Sequence, residues 1–165
     1  MADKDTKLEL ELVGAQELLQ RLTSAAAMLD APRDLFEAIG AELEANVNLR
    51  FETKHDAAGN AWAPISDVTP VIWESIHGSS LPGTLLERTR RMRGSLTHNA
   101  TDDGVEVGFS VAYAGYHVTG TKRMPRRDPL FASVNAEATQ GTMGEQDEQD
   151  VLTVVESFLN ASLGS

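Results

Sequence analysis

Cysteine is absent from the 165 residues, which excludes disulfides, thiolate metal sites and cysteine nucleophiles together. Long apolar runs are absent too. No window approaches the roughly 20 apolar residues of a membrane-spanning helix, and the opening MADKDTKLELELV has no apolar stretch of signal-peptide length. A soluble chain, made and kept inside a cell and without a membrane partner, is therefore expected. The Walker phosphate loop, GxGxxG, HExxH and GxSxG are missing. The four histidines, His55, His77, His98 and His117, show no i,i+4 pairing, and EQDEQD lacks the glycine and ligand order of a calcium loop. No catalytic residue, metal or cofactor is expected, and a hydrolase would lack a nucleophile placed beside a base.

Basic residues are scarce and unevenly placed. The formal charge is −11, but residues 1–83 carry 6 basic and 14 acidic side chains, residues 84–127 carry 8 and 4, and residues 128–165 carry none and 7. The net acidity argues against a general nucleic-acid coat. A basic middle flanked by acidic ends is either self-complementary between copies or paired internally.

Hydrophobic periodicity organises the chain into an α+β pattern. KLELELV alternates Leu8, Leu10 and Leu12 with charged residues, the period of a half-buried strand. AQELLQRLTSAAAMLD puts Leu18, Leu22, Ala25 or Ala26, and Leu29 on one helical face. Pro32 opens a second helix over about 32–53, with Phe36, Ile39, Leu43, Val47 and Phe51 in register. Residues 54–83 are punctuated by Gly59, Pro64, Pro70, Gly78, Pro82 and Gly83, leaving room for one short helical turn in SDVTPVIWES. TLLERT reads as a short strand, RRMRGSL as a basic turn or helix, and Asp103-Gly104 as a hairpin turn leading into Val105, Val107, Phe109 and Val111. AYAGYHVTG reads as one or two helical turns, and MPRRDPLFASV as a turn and a short apolar strand. The expected organisation is a core domain over 1–135, a linker over 136–149 and a C-terminal helical arm over 150–165. In the core, an N-terminal strand and two helices pack on a small antiparallel sheet.

Trp62 is one of only two tryptophans, yet it stands in DAAGNAWAPIS, a stretch built as a surface turn. Its loop either folds back on its own core or waits for a partner. Arg88, Arg90, Arg91 and Arg93 form one basic run, and Lys122, Arg123, Arg126 and Arg127 surround Pro125 in another. Three readings stay open for the first run: a solvated face, an interface for acidic protein surfaces, or phosphate contacts to DNA; two clusters at two loops suggest a surface patch more than a groove-reading helix. No aromatic residues for base stacking are interleaved with the first run.

Four segments in order, GNAWAPIS, TLLERTRRMRGSL, VEVGFSVAYAGYHVTGT and MPRRDPLFASV, resemble successive blocks of the phage virion morphogenesis family, which includes tail-completion and neck proteins of long-tailed phages. The matching positions are Gly59, Trp62, Pro64 and Ser66; Leu86, Thr89 and Ser95; Tyr113, Ala114, His117 and Gly120; and Pro125 and Arg127. Arg90 stands where the family pattern has glycine, and Asp128-Pro129-Leu130-Phe131 replaces its Pro-Phe-Leu-Gly. The resemblance implies a non-enzymatic virion component that forms a cyclic ring with itself. That ring would contact other neck, portal-adaptor or tail proteins, let DNA pass non-specifically, and occupy the host cytoplasm during assembly. It makes Trp62, Pro64, Arg88, Arg91, Arg93, Tyr113, His117, Arg126 and Arg127 interface or loop-anchoring candidates. The alternative is a DNA-packaging or nucleic-acid-binding accessory module.

Overall fold

The computed structural model describes residues 11–12, 16–27, 29, 31–135 and 140–163. The spine is helix α2, Pro32–Thr53, about 33 Å long at 1.5 Å per residue. Pro32 supplies a preset φ at its start, and Lys54, left-handed at φ 59°, closes it by donating its N–H to the Arg50 carbonyl.

Two apolar clusters sit along this spine. At its N-terminal half, Leu35, Phe36 and Ile39 pack with Leu18 and Ala25 of α1 (Gln16–Ala27), Val151 and Val155 of the C-terminal helix α5 (Glu145–Leu163), and Ala100. At its C-terminal half, Val47 and Phe51 pack with Trp62, Met92, Leu96 and Ala114. The hairpin of β2 (Leu96–Ala100) and β3 (Val105–Phe109) runs beside α2 and contributes to both clusters, because its register pairs Leu96 with Phe109 at one end and Ala100 with Val105 at the other. The hairpin approaches α2 at Gly40, where a β-carbon would stand 2.5 Å from the His98 ring and 2.9 Å from Val105.

A second sheet has the order β1-β5-β4. Strand β1 (Glu11–Leu12) runs parallel to β5 (Gln140–Thr142), and β4 (Ser133–Val134) runs antiparallel to it. Two short helices, α3 (Val68–His77) and α4 (Ala114–Thr119), complete an α+β fold.

One sequence expectation lies mostly outside the described residues, and others meet a different structure. Of KLELELV, only Glu11–Leu12 fall among the strand residues described, and Leu8 and Leu10 lie outside the described residues. SDVTPVIWES gives a ten-residue helix, α3, where one turn was expected; Pro70 falls in its first turn and Gly78, at φ 64°, ends it by donating to the Glu74 carbonyl. TLLERT is a turn and not a strand, closed by Glu87 N–H donating to the Thr84 carbonyl, with Leu86 at φ 62°. The expected linker over 136–149 contains β5 and the first turn of α5, with residues 136–139 outside the described residues. Its polar composition reads as a linker because β5 is held by strand pairing and Ser133–Thr142 hydroxyl contact, which leave no apolar periodicity. Nor is α5 a free arm: Val151 and Val155 complete the core cluster of α1 and α2.

Candidate functional site

The Trp62 loop is fixed from both ends. Asp56 accepts hydrogen bonds from the backbone N–H groups of Ala58 and Asn60 at 2.9 Å each, and Trp62 N–H donates to the Lys54 carbonyl at 2.8 Å. These bonds turn the chain so that the indole drops onto Phe51, edge to face at 5.6 Å. Its Nε1 donates to the Asp128 carbonyl at 3.3 Å, and only 7% of the residue is exposed. Trp62 therefore packs inside its own subunit.

The second basic run also turns inward in part. Arg127 is buried and donates from Nε to the Ala63 carbonyl at 2.6 Å and from a terminal nitrogen to the Pro64 carbonyl at 2.7 Å. Burial holds its guanidinium below the usual arginine value. Pro64 thus takes part through its backbone oxygen, its ring lying exposed. Arg126 ion-pairs with Asp128 at 2.7 Å and donates to the carbonyls of Val118 and Phe131 at 3.0 Å each. Asp128, 1% exposed, also accepts from the N–H groups of Leu130 and Phe131. Burial pushes its carboxyl up, opposed by these donors. Arg126, Arg127, Asp128 and Trp62 thus form one knot joining the 56–64 loop to the 125–131 loop. Lys122 and Arg123 remain exposed.

Beside this knot, His117 is partly buried against Tyr113, edge to face at 6.4 Å, and burial with the nearby Arg127 charge lowers its pKa. Its Nδ1 has no hydrogen-bond partner among the described residues. Tyr113 and Tyr116 of the α4 region are 37% and 61% exposed.

The first basic run divides. Arg93 is half-buried and bridges Asn48 at 2.9 Å, Glu52 at 2.8 Å and Glu87 at 3.0 Å. Burial alone would push the Glu87 carboxyl up, but hydrogen bonds from Lys54 and Arg93 outweigh it and bring its pKa from 4.5 to about 2. Arg88, Arg90 and Arg91 are exposed and make no ion pair among the described residues. Arg88 lies over the Trp73 ring at 4.7 Å, and Trp73 stacks on His77 at 3.9 Å. This stack ties α3 to the basic turn.

Two further groups carry little signal in the sequence. Arg50 in α2, buried, pairs with Asp147 of α5 and donates to the Pro129 carbonyl at 3.0 Å, while Asn46 donates to Asp147 at 3.0 Å and Asp150 at 2.9 Å. Partners 79 to 104 residues apart carry no local signal. Val68, Val71, Ile72 and Ile76 of α3 are 54–69% exposed, an apolar stripe facing outward. Its i, i+3, i+4, i+8 spacing was legible, but the prolines around it obscured the helix that carries it.

Among the described residues, no group of His, Asp and Glu is placed to hold a metal ion, and no helix is long and apolar enough to cross a membrane. Among the described residues, the buried charged side chains Arg50, Arg127, Asp128 and Asp147 all make internal ties, and the exposed features include the apolar stripe of α3 and the side chains of Arg88, Arg90 and Arg91. No curated protein and no solved structure matches the chain. The sequence profile of the phage virion morphogenesis family spans residues 13–160, taking in the Trp62 loop, the hairpin, the arginine knot and nearly all of α5. A match of that extent, on a fold whose family-pattern residues Trp62 and Arg127 meet in one buried knot, makes this chain a member of the phage virion morphogenesis family.

Proposed function

We propose that the chain is a non-enzymatic ring component of a phage neck or tail-completion assembly, helping to join the DNA-filled head to the tail. Family membership over residues 13–160 carries this reading. The arrangement of charge supports it. The exposed Arg88, Arg90 and Arg91 and the acidic face of α5 are the two halves of a heterologous contact, in which one surface of a subunit meets a different surface of the next. Its partners are copies of itself and other neck, portal-adaptor or tail proteins; it assembles in the host cytoplasm and ends in the virion. DNA passing through meets an overall acidic protein, which favours sliding over adhesion.

The test is a phage lacking the chain. Filled heads and separate tails should accumulate, and adding purified chain should join them. Infectious particles formed in normal yield without it would refute the proposal.

A second reading, a nucleic-acid accessory module, rests on the same exposed arginines. It requires duplex retardation at low salt with a steep salt dependence, each lost phosphate contact flattening the slope by about 0.9. The inward ties of Arg93, Arg126 and Arg127 leave it few contacts.

A further inference from the structure

Helix α3 packs against neither core cluster, and none of its ten residues is buried. Trp73, stacked on His77 one turn on, holds it to Arg88, and the stripe of Val68, Val71, Ile72 and Ile76 stands in solvent at 58%, 65%, 54% and 69% exposure. Four β-branched aliphatic side chains on one face of an ordered helix form an apolar surface with no partner in the subunit.

The same chain carries a receptor of the right shape. Between α1 and α5 lies a cleft of about 540 Å³, with Ala25, Leu152, Val155 and Leu159 along its floor and Gln20, Arg21 and Glu156 at its rim. A helix laid between two helices buries its stripe in their shared groove, as in any three-helix packing. Charge agrees with this pairing. The α3 side bears the exposed Arg90 and Arg91, whereas at the cleft Arg21 is paired with Glu17 at 2.9 Å and the exposed Glu156 has no cation partner among the described residues. The cleft opens on the cluster of α1 and α5, whereas α3 is tied to the turn whose Leu85 and Leu86 pack on the other cluster. One copy therefore offers stripe and cleft at opposite ends of its core.

We propose that the α3 stripe of one copy docks in the α1/α5 cleft of a second copy, head to tail, with Arg90 and Arg91 facing Glu156. This rests on the ring reading and assigns that ring its contact. Because the two surfaces differ, each copy receives one neighbour and engages another, and the chain of contacts closes if its rotation allows.

The absence of cysteine makes the test clean. In the full chain, Ile72→Cys combined with Gln20→Cys should give, on mild oxidation, a ladder of covalent multimers on a non-reducing denaturing gel. A disulfide formed only within one chain, or Ile72→Cys alone cross-linking as efficiently, would overturn the proposal in favour of internal docking or α3–α3 pairing. Val71→Asp with Ile72→Asp should weaken self-association at least tenfold in sedimentation while circular dichroism shows the fold retained, both positions being solvent-exposed. Arg91→Glu should weaken it too, and Glu156→Arg added to Arg91→Glu should restore it. Wild-type oligomers unchanged by the aspartates would defeat this contact and leave the ring standing. A wild type that is monomeric at every concentration, and un-cross-linked in particles, would remove both.

Discussion

At the scale of single residues, burial and hydrogen bonding decide what each family-pattern position does. Trp62 fills the centre of one cluster and is hydrogen-bonded across to Asp128, so Trp62→Ala removes packing and leaves a cavity. It should cost about 3–5 kcal/mol in denaturant unfolding of the isolated chain. A change near zero would place the indole elsewhere. Arg90, which stands where the family pattern has glycine, adopts φ 54°, the left-handed region that a β-carbon disfavours. Arg90→Gly should raise stability by up to about 1 kcal/mol, the relief of strain being partly offset by the flexibility of glycine in the unfolded chain. A lower melting temperature would contradict this. His98 lies 2.7 Å from Glu44 and 3.3 Å from Glu37; the Glu44 hydrogen bond, working against burial, raises its pKa above 6.5. Its folded pKa exceeds the unfolded one, so the stabilisation is complete below 6.5 and is lost as pH rises through the folded value. The stability difference between wild type and His98→Gln should shrink on going from about pH 6 to pH 8. A difference independent of pH over that range would refute it.

Elements were legible where periodicity is long and local. The apolar spacing of 16–27 and 32–53 and the Asp103-Gly104 turn appear where expected, because each is set by residues within four positions of one another. Short elements were not. Helix α3 was obscured by Pro70, which falls harmlessly in its first turn, and the turn at 84–87 was obscured by apolar residues that resemble a strand. The knot of Trp62, Arg126, Arg127 and Asp128 was visible only as suspicious residue types, since its partners are up to 66 positions apart. Gly40 shows the same limit. Helix propensity alone favours alanine by about 1 kcal/mol, yet a β-carbon there would meet His98 at 2.5 Å and Val105 at 2.9 Å. The clash should win, and Gly40→Ala should lower the melting temperature. A rise would mean that the hairpin sits farther from α2.

For the whole molecule, Arg50, Asn46 and Asp147 lock α5 onto α2, so the C-terminal helix is part of the core and the outward surfaces are left to α3, the basic turn and the cleft between α1 and α5. Different surfaces on one subunit are what the proposed head-to-tail contact requires. The most direct measurement is an electron cryo-microscopy reconstruction of the neck in particles that carry this chain. The account predicts a closed ring at the head–tail junction whose repeating density fits α2, the hairpin and α5 as one body. Intact particles whose head–tail junction contains no density for this chain would contradict it.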